Sequence, residues 1–519
     1  MARLRDSLGE LWGRGAIRVL LGVAIGAVLT VIVYPFVARG PARGPAASTA
    51  TAPASPPSAD AALAGNAPSI AVLPFANMTE DKQLEYFSDG ISEEILNALS
   101  RVDGLRVIAR ASSFAMKGRN EDPRTIGQRL NVGTLLEGSV RKSGSRVRIG
   151  AELVETAGGT RLWAQEFERE TENAFKVQDE IAQAVVAALQ LKLLTPPVVQ
   201  AANVDPAAHD LYLRGLAQLA RGSAEGSERA VQALQAAVDR DPGFAHAWAA
   251  LATARFRAAD QGTADPAVEW PKALEAAERA VSIAPGDADG WLARGFVKVS
   301  AYQDWEAARA DLEKARSLNP NSAETHYQYG RLLAALGRLG EAGFSVQLAL
   351  ARDPLSANAH VMEAMVHLGE GRYELARVSA ERALDLAPEH ARAARTLGLA
   401  LLLQNRLPEA REAFHRSGPR QFEKMGDAMV EHSLGHETAS KKVLDQILAD
   451  PDTPKHACYQ AAQILAWRGE NDRAFEWLDR AAEAHDAGLI YLKYDPVLAR
   501  LRPDPRYRAL LERLKLPVG

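Results

Sequence analysis

SAETHYQYGRLLAALGRLGEAGFSVQLALARDP, residues 322–354, reads as two amphipathic helical stretches closed by Pro354. Gly330 marks a small residue in the first stretch, while Ala342, Val346 and Ala349 set a small-bulky-small pattern in the second. The unit recurs on either side. Pro285, Pro320, Pro354 and Pro388 follow one another at a nearly constant spacing. The Gly330 position is taken by Ala252, Gly295, Ala364 and Gly398 in the neighbouring units. In the second helices Ala273, Ala308, Ala376 and Ala410 match Ala342, and Ala280, Ala315 and Ala383 match Ala349. Leu312 and Phe414 take the bulky place of Val346. Small residues at these sites let paired helices approach closely.

A helix pair that recurs every ~34 residues is the signature of tetratricopeptide (TPR) repeats, whose units bury their faces only by stacking on neighbours. The fold class expected is therefore multidomain, with an all-α TPR superhelix over residues 205–485 preceded by a small mixed-sheet α/β domain. An earlier unit, His209–Pro242, fits with a loosened turn at Gly222–Gly226. Beyond Gly418 the period slips, although Gly435–Pro451 and Tyr459–Glu483 still read as helix pairs. Residues 486–519 are expected to form a helical cap on the exposed face of the last repeat. A TPR superhelix presents a concave groove lined by its first helices. Mapping helix positions onto that groove places Asp289, Tyr327, Gln328, Arg331, Asn358, Met362, Arg392 and Arg395 along it. The arginines supply donors for a carboxylate or an acidic peptide, and Tyr327 and Met362 supply contact surface. The matched Lys/Asn/Arg set of chaperone-binding TPR domains is not seen here.

The α/β region spans residues 69–200. Ser69–Phe75 is a short apolar run ending at a proline, which fits a buried strand. Phe87, Ile91, Ile95 and Leu99 form the apolar stripe of a helix over Leu84–Leu99, and Leu105–Ile108 reads as a second strand. A short helix over Pro123–Leu130 precedes strands marked by alternation at Val147, Ile149, Ala151 and Leu153. Ser143-Gly144 and Gly158-Gly159 supply hairpin turns, the next strand carries Trp163, Gln165 and Phe167, and a helix over Phe175–Leu194 closes the domain. The order predicts a mixed sheet with helices largely on one face.

Four blocks in this region, SIAVLPFANMTED, YFSDGISEEILNALS, LLEGSVRKSG and LWAQEFE, resemble in order the TolB amino-terminal-like (FlgO-like) domain of bacteria. That resemblance implies association with the cell envelope and supplies no catalytic residues. Related chains often carry a winged-helix regulator or a class III nucleotide cyclase domain before a membrane helix. Here residues 1–18 precede the apolar run, so neither activity is carried over.

Val19–Ala38 is an uncharged run of twenty residues, about 30 Å as a helix, which matches the hydrocarbon thickness of a bilayer. Arg3, Arg5, Arg14 and Arg18 before it outnumber Arg39 and Arg43 after it. The excess predicts a cytoplasmic tail over 1–18 and soluble domains in the periplasm, held to the bacterial inner membrane by one helix. A cleaved signal peptide has a shorter apolar region, so an uncleaved anchor is expected. Residues 39–68, rich in Ala, Pro, Ser, Thr and Gly, read as a disordered linker.

Across the 519 residues, 47% hydrophobic and 24% charged content are ordinary globular values. A net charge of −4 and Lys/Arg runs no longer than two give no case for nucleic acid. With Cys458 as the only cysteine, intramolecular disulfides and CxxC metal sites are excluded. GxxxxGK[ST], HExxH and GxSxG are absent. His432 and His436 stand four apart without a third ligand, and Glu93-Glu94 lacks a partner for acid–base work. No catalytic, cofactor or metal residues are assigned. The expected function is an envelope scaffold that binds a protein or peptide through its groove. The alternative is a sensor whose α/β domain binds a small molecule or envelope component and relays it through the repeats.

Overall fold

Strand β1 (Ser69–Val72) alternates Ile70 and Val72 on one face with Ala71 on the other, and all three are fully buried. Both faces of the sheet are therefore covered at β1. The computed structural model describes residues 68–79, 84–102, 104–143, 146–170, 174–189, 204–418, 420–450, 453 and 457–518. The expected tail 1–18, membrane segment 19–38 and linker up to residue 67 lie outside them. Among the described residues no helix is long and apolar enough to cross a membrane.

The sheet adds β2 (Ala76–Asn77), β3 (Arg106–Val107), β4 (Thr134–Ser143), β5 (Arg146–Glu155) and β6 (Arg161–Glu170) in the order β3-β1-β4-β5-β6, with β2 against β4. The β1, β2 and β3 pairings are parallel, whereas β4, β5 and β6 form an antiparallel meander. Two long helices, α1 (Glu85–Ser100) and α4 (Ala174–Ala188), pack on the Ile70/Val72 face. The short helices α2 (Arg110–Phe114) and α3 (Pro123–Leu130) lie on the Ala71 face, where Ile108, Ile126, Leu130 and Leu135 form a second layer. The two long helices share one face, as the element order suggested, while α2 and α3 cover the other only around β1 and the start of β4, and β5 and β6 keep exposed residues. The short helix α2 escapes sequence reading because five residues are too few to show a period.

Eight helix pairs follow among the described residues, from α5 (Pro206–Leu219) and α6 (Ala224–Arg240) to α19 (Cys458–Trp467) and α20 (Asn471–Glu483). Between them lie α7 (Ala245–Asp260), α8 (Pro266–Ile283), α9 (Ala288–Val297), α10 (Trp305–Leu318), α11 (Ala323–Ala335), α12 (Leu339–Arg352), α13 (Ala357–Gly369), α14 (Tyr373–Leu386), α15 (Ala391–Leu403), α16 (Leu407–His415), α17 (Arg420–Ser433) and α18 (Glu437–Leu448). The stretch expected as a helix pair after Gly435 therefore holds one helix, α18, and its partner is α17. The small positions meet the bulky ones inside each pair. A Cβ on Gly295 would stand 2.8 Å from Leu312, on Gly330 2.8 Å from Val346, and on Gly398 2.9 Å from Phe414. Turns between paired helices need a left-handed residue, supplied by Gly337 (φ 81°) and Gly371 (φ 74°), with Asn405 (φ 59°) in the same role. A second device recurs where the pairs join. The Trp248 and Trp291 indole N–H groups donate to the carbonyls of Pro242 and Pro285, six residues earlier, at 3.0 and 2.9 Å. His326 and His360 repeat this contact to Pro320 and Pro354 at 2.9 and 3.3 Å.

The α/β domain and the first repeats share one core. Ile95, Leu99 and Val185 belong to the same buried cluster as Leu213, Leu234 and Leu251. The domain edge also runs along the loops that join successive repeats. Asn321 Nδ2 donates to the carbonyls of Ser100 and Leu105 at 3.1 and 2.9 Å. The Ala109 N–H reaches the Arg352 carbonyl at 2.7 Å, and the Ser112 N–H reaches Asp353 Oδ1 at 3.1 Å. Two independent tethered domains do not describe this seam.

The C-terminal segment does more than cover the last repeat. Leu492, Leu498 and Leu501 are fully buried in a cluster that extends back to Val299 and Trp305. Trp305 Nε1 donates to the Leu514 carbonyl at 2.9 Å across 209 residues of sequence. Gln303 Nε2 approaches the Asp486 carbonyl at 3.4 Å. The segment therefore folds back onto the earlier repeats and walls off part of the concave face.

Candidate functional site

First helices place equivalent residues in register on the inner face of the superhelix. Glu324, Asn358 and Arg392 occupy the same position in three successive repeats. Between this row and the returning C-terminal segment lies a cavity of about 490 Å³. Tyr327, Gln328, Arg331, Asn358 and Arg392 line it, together with Phe256, Arg257, Asp260, Phe296 and Tyr491. Met362 lines a narrower cleft that continues past Tyr491 and Tyr494. Arg395 is buried, with its guanidinium carbon 5.2 Å from the Phe422 ring centre and 5.6 Å from that of Tyr491.

The polar groups are only partly engaged with one another. Arg331 donates to Gln328 Oε1 at 2.6 Å, and Gln328 Nε2 donates to Glu324 Oε1 at 2.7 Å. Arg392 donates to Asn358 Oδ1 at 2.8 Å. Burial acts to raise the Tyr491 hydroxyl, but Arg392, Arg395 and Arg331 outweigh it and hold the group below its usual range. On the opposite wall burial pushes Asp260 up, against the pull of Arg392, Arg331 and Arg257.

Asp289 does not join this cavity. It faces His246, whose Nε2 lies 3.2 Å from Asp287 Oδ2 and 3.8 Å from Asp289 Oδ2. One oxygen or nitrogen from each of the three lies close enough to the others to hold a metal ion. Arg101, however, donates to Asp287 Oδ2 at 3.0 Å, so a guanidinium already occupies the acidic pair. Burial alone would lower the His246 imidazole. Its hydrogen bond to Asp287, with the charges of Asp287, Asp289 and Glu94, outweighs that and pushes it up to about 9. The cluster is thus an ion network at the seam between α1 and the repeats, with His209 beside Glu94 at 3.7 Å.

This network has a consequence in pH. An unfolded histidine titrates near ~6.5. The contribution of His246 to stability is then fully present below that value and is lost as pH rises through about 9. We expect His246→Gln to lower the melting temperature at pH 6 and to make little difference above the upper limit. Paired thermal melts check this, and an equal deficit at both pH values would refute it.

The other groups singled out in the sequence go to separate partners. Glu93 pairs with Arg110 at 2.8 Å. His432 pairs with Glu437 and His436 with Glu431, each at 2.8 Å, so the two imidazoles do not converge. Cys458 is fully buried, and burial raises its thiol.

The sequence mapping missed Phe256, Arg257, Asp260, Phe296 and Tyr491. Of the first three, only Asp260 lies beyond the 13 positions that α11 offers, at the end of the 16-residue α7, so helix length was a signal for that residue alone. Tyr491 comes from outside the repeats and has no periodic signature.

A tetratricopeptide repeat family matches residues 302–359 and 361–419, so this stretch carries TPR repeats. A family described as the second domain of HilA/YgeH-like transcriptional regulators matches residues 66–184, the stretch that resembled a TolB-like domain. A curated protein of Rhizobium meliloti (strain 1021), "Putative adenylate cyclase 3", is 43% identical over 187 residues, which is 36% of this chain and 32% of that protein. The chain spans about a third of the length of the curated relative it matches. Solved structures are also similar. The type IV pilus biogenesis factor PilW has 21% identity and TM-score 0.34, covering 38% of this chain and 93% of its own. TTC0263, a TPR protein of Thermus thermophilus, has 24% identity and TM-score 0.33, covering 38% and 100%.

Proposed function

We propose that this protein is a non-catalytic scaffold that binds a protein or peptide on the concave face of its repeats, anchored in the inner membrane by Val19–Ala38. TPR repeats act as protein-binding scaffolds, and residues 302–419 carry them. One observation carries the choice of site. Arg331, Arg392 and Tyr327 open onto a cavity of about 490 Å³ instead of closing on a carboxylate of the chain. Accessible arginine and tyrosine at the centre of a concave surface are among the side chains most enriched in binding hot spots.

A photo-crosslinking residue at Tyr327, with the full chain in its native membrane, tests the reading. A discrete crosslinked protein is expected, and Arg331→Ala should reduce it by about tenfold, as for the loss of a charge-assisted hydrogen bond. Crosslinking unchanged by Arg331→Ala would count against the concave face. Retention of the full chain in alkali-washed membranes checks the anchor, and release by the wash would count against it.

A further inference from the structure

The segment that carries Tyr491 is packed into the core of the repeats. Leu492, Leu498 and Leu501 beside it are fully buried, and Tyr494 packs onto Gly369, where a Cβ would lie 3.0 Å from the Tyr494 carbonyl oxygen. Displacing the segment to admit an extended chain would expose all of these apolar groups to water. Past Tyr491 the space narrows from about 490 Å³ to a cleft of about 10 Å³, so the cavity has room for the end of a ligand and not for a chain that runs on beyond it.

Three guanidinium groups and three carboxylates face the cavity, and among the described residues no ion pair joins them. Arg257, Arg331 and Arg392 line it and Arg395 stands behind Tyr491. Three carboxylates also line it, but Glu324 accepts from Gln328 and Asp353 accepts from Ser112. Asp260 is left to face the guanidinium groups. Arg395 is 6% exposed, and its buried Nε has no hydrogen-bond partner. The charge of Arg395 already acts on the buried Asp495, whereas Arg331 and Arg392 donate to the neutral amide oxygens of Gln328 and Asn358, which a ligand oxyanion would replace with stronger charge-assisted bonds. Phe256, Phe296 and Tyr327 give the remaining wall an aromatic character.

We propose that the cavity is an end-binding site for an oxyanion, a carboxylate or phosphate, carried at the tip of an apolar or aromatic body, with Tyr491 of the C-terminal segment completing it. The proposal rests on the concave face being the binding surface and adds the chemistry of what enters it. Arg331 and Arg392 hold the oxyanion, and the aromatic wall takes the body behind it.

Calorimetry on the full chain tests this with four probes: N-acetyl-Ala-Ala-Phe with a free carboxylate, the same peptide as its amide, phenyl phosphate, and inorganic phosphate. The free-acid peptide should bind at least about tenfold more tightly than its amide, and Arg392→Gln should remove most of that difference. Binding of phenyl phosphate above the acid peptide points to a phosphorylated small molecule as the source, and the reverse order to a chain terminus; both support the site. Tyr491→Phe, which keeps the wall, should alter the preference between the oxyanions, and an unchanged melting temperature certifies its fold. Equal binding of acid and amide, binding unaffected by Arg392→Gln, or no heat from any probe at millimolar concentration overturns the proposal. A protein that crosslinks at Tyr327 and is displaced by none of the probes overturns it too, while leaving the scaffold reading in place. Probe binding without any crosslinked protein does the opposite.

Discussion

Trp305→Ala is expected to destabilise the protein by about 3–5 kcal/mol, the range for truncating a fully packed tryptophan. The side chain is 2% exposed and sits where α10 meets the returning C-terminal segment. Two losses combine. The cavity left by the indole forfeits packing against a core that cannot fully collapse. The Leu514 carbonyl also loses its donor at 2.9 Å. Trp305→Phe separates them, because it keeps most of the volume and removes only the N–H. Its cost should be nearer ~1–2 kcal/mol. Urea midpoints give both values, and limited proteolysis gives the location. New cleavage sites in Trp305→Ala should fall within residues 484–518. Equal costs for the two variants, or cleavage confined to other regions, would show that this contact does not hold the segment.

That contact also shows where sequence reading stops. The repeats were legible because each position reports its own environment. Gly295, Gly330 and Gly398 each sit opposite the bulky residue of their own pair, a local relation that repeats with the period. The return of the C-terminal segment depends instead on the curvature summed over several pairs, and no residue near Leu514 encodes that sum. The seam was hidden for a related reason. Asn321 and Ser112 are ordinary turn and helix-start residues in sequence, and only the docked domain turns them into links between loops. At the cavity, helix position located Tyr327, Arg331, Asn358 and Arg392 because the inner face recurs once in every repeat. The same logic placed Asp289 in the row, where it belongs by register. Its neighbour one repeat earlier is His246, and that local charge pair draws it into the seam network instead.

The seam makes its own strong prediction. Gly90 lies within α1, where glycine costs roughly 1 kcal/mol against alanine by helix propensity. Its use there is explained by the approach of α5, since a Cβ on Gly90 would stand 2.6 Å from Leu213 Cδ2. Leu213 is 1% exposed, so it has little room to turn aside. Leu213→Ala should cost about 2–5 kcal/mol as a buried cavity. Gly90→Val should cost about 1–3 kcal/mol by overpacking. Combined, the added valine fills part of the space the leucine vacates, so the double variant should be more stable than the sum of the single losses by at least ~1 kcal/mol. The unfolding profile carries a further test. Gly90 belongs to the α/β domain and Leu213 to the first repeat, yet both sit in the core that unites them. If that core is cooperative, either single change lowers one shared transition that includes both regions. Separate transitions, with Gly90→Val moving only one and Leu213→Ala only the other, would mean that the α/β domain and the repeats unfold as independent bodies, and the shared core would then contribute packing without cooperativity.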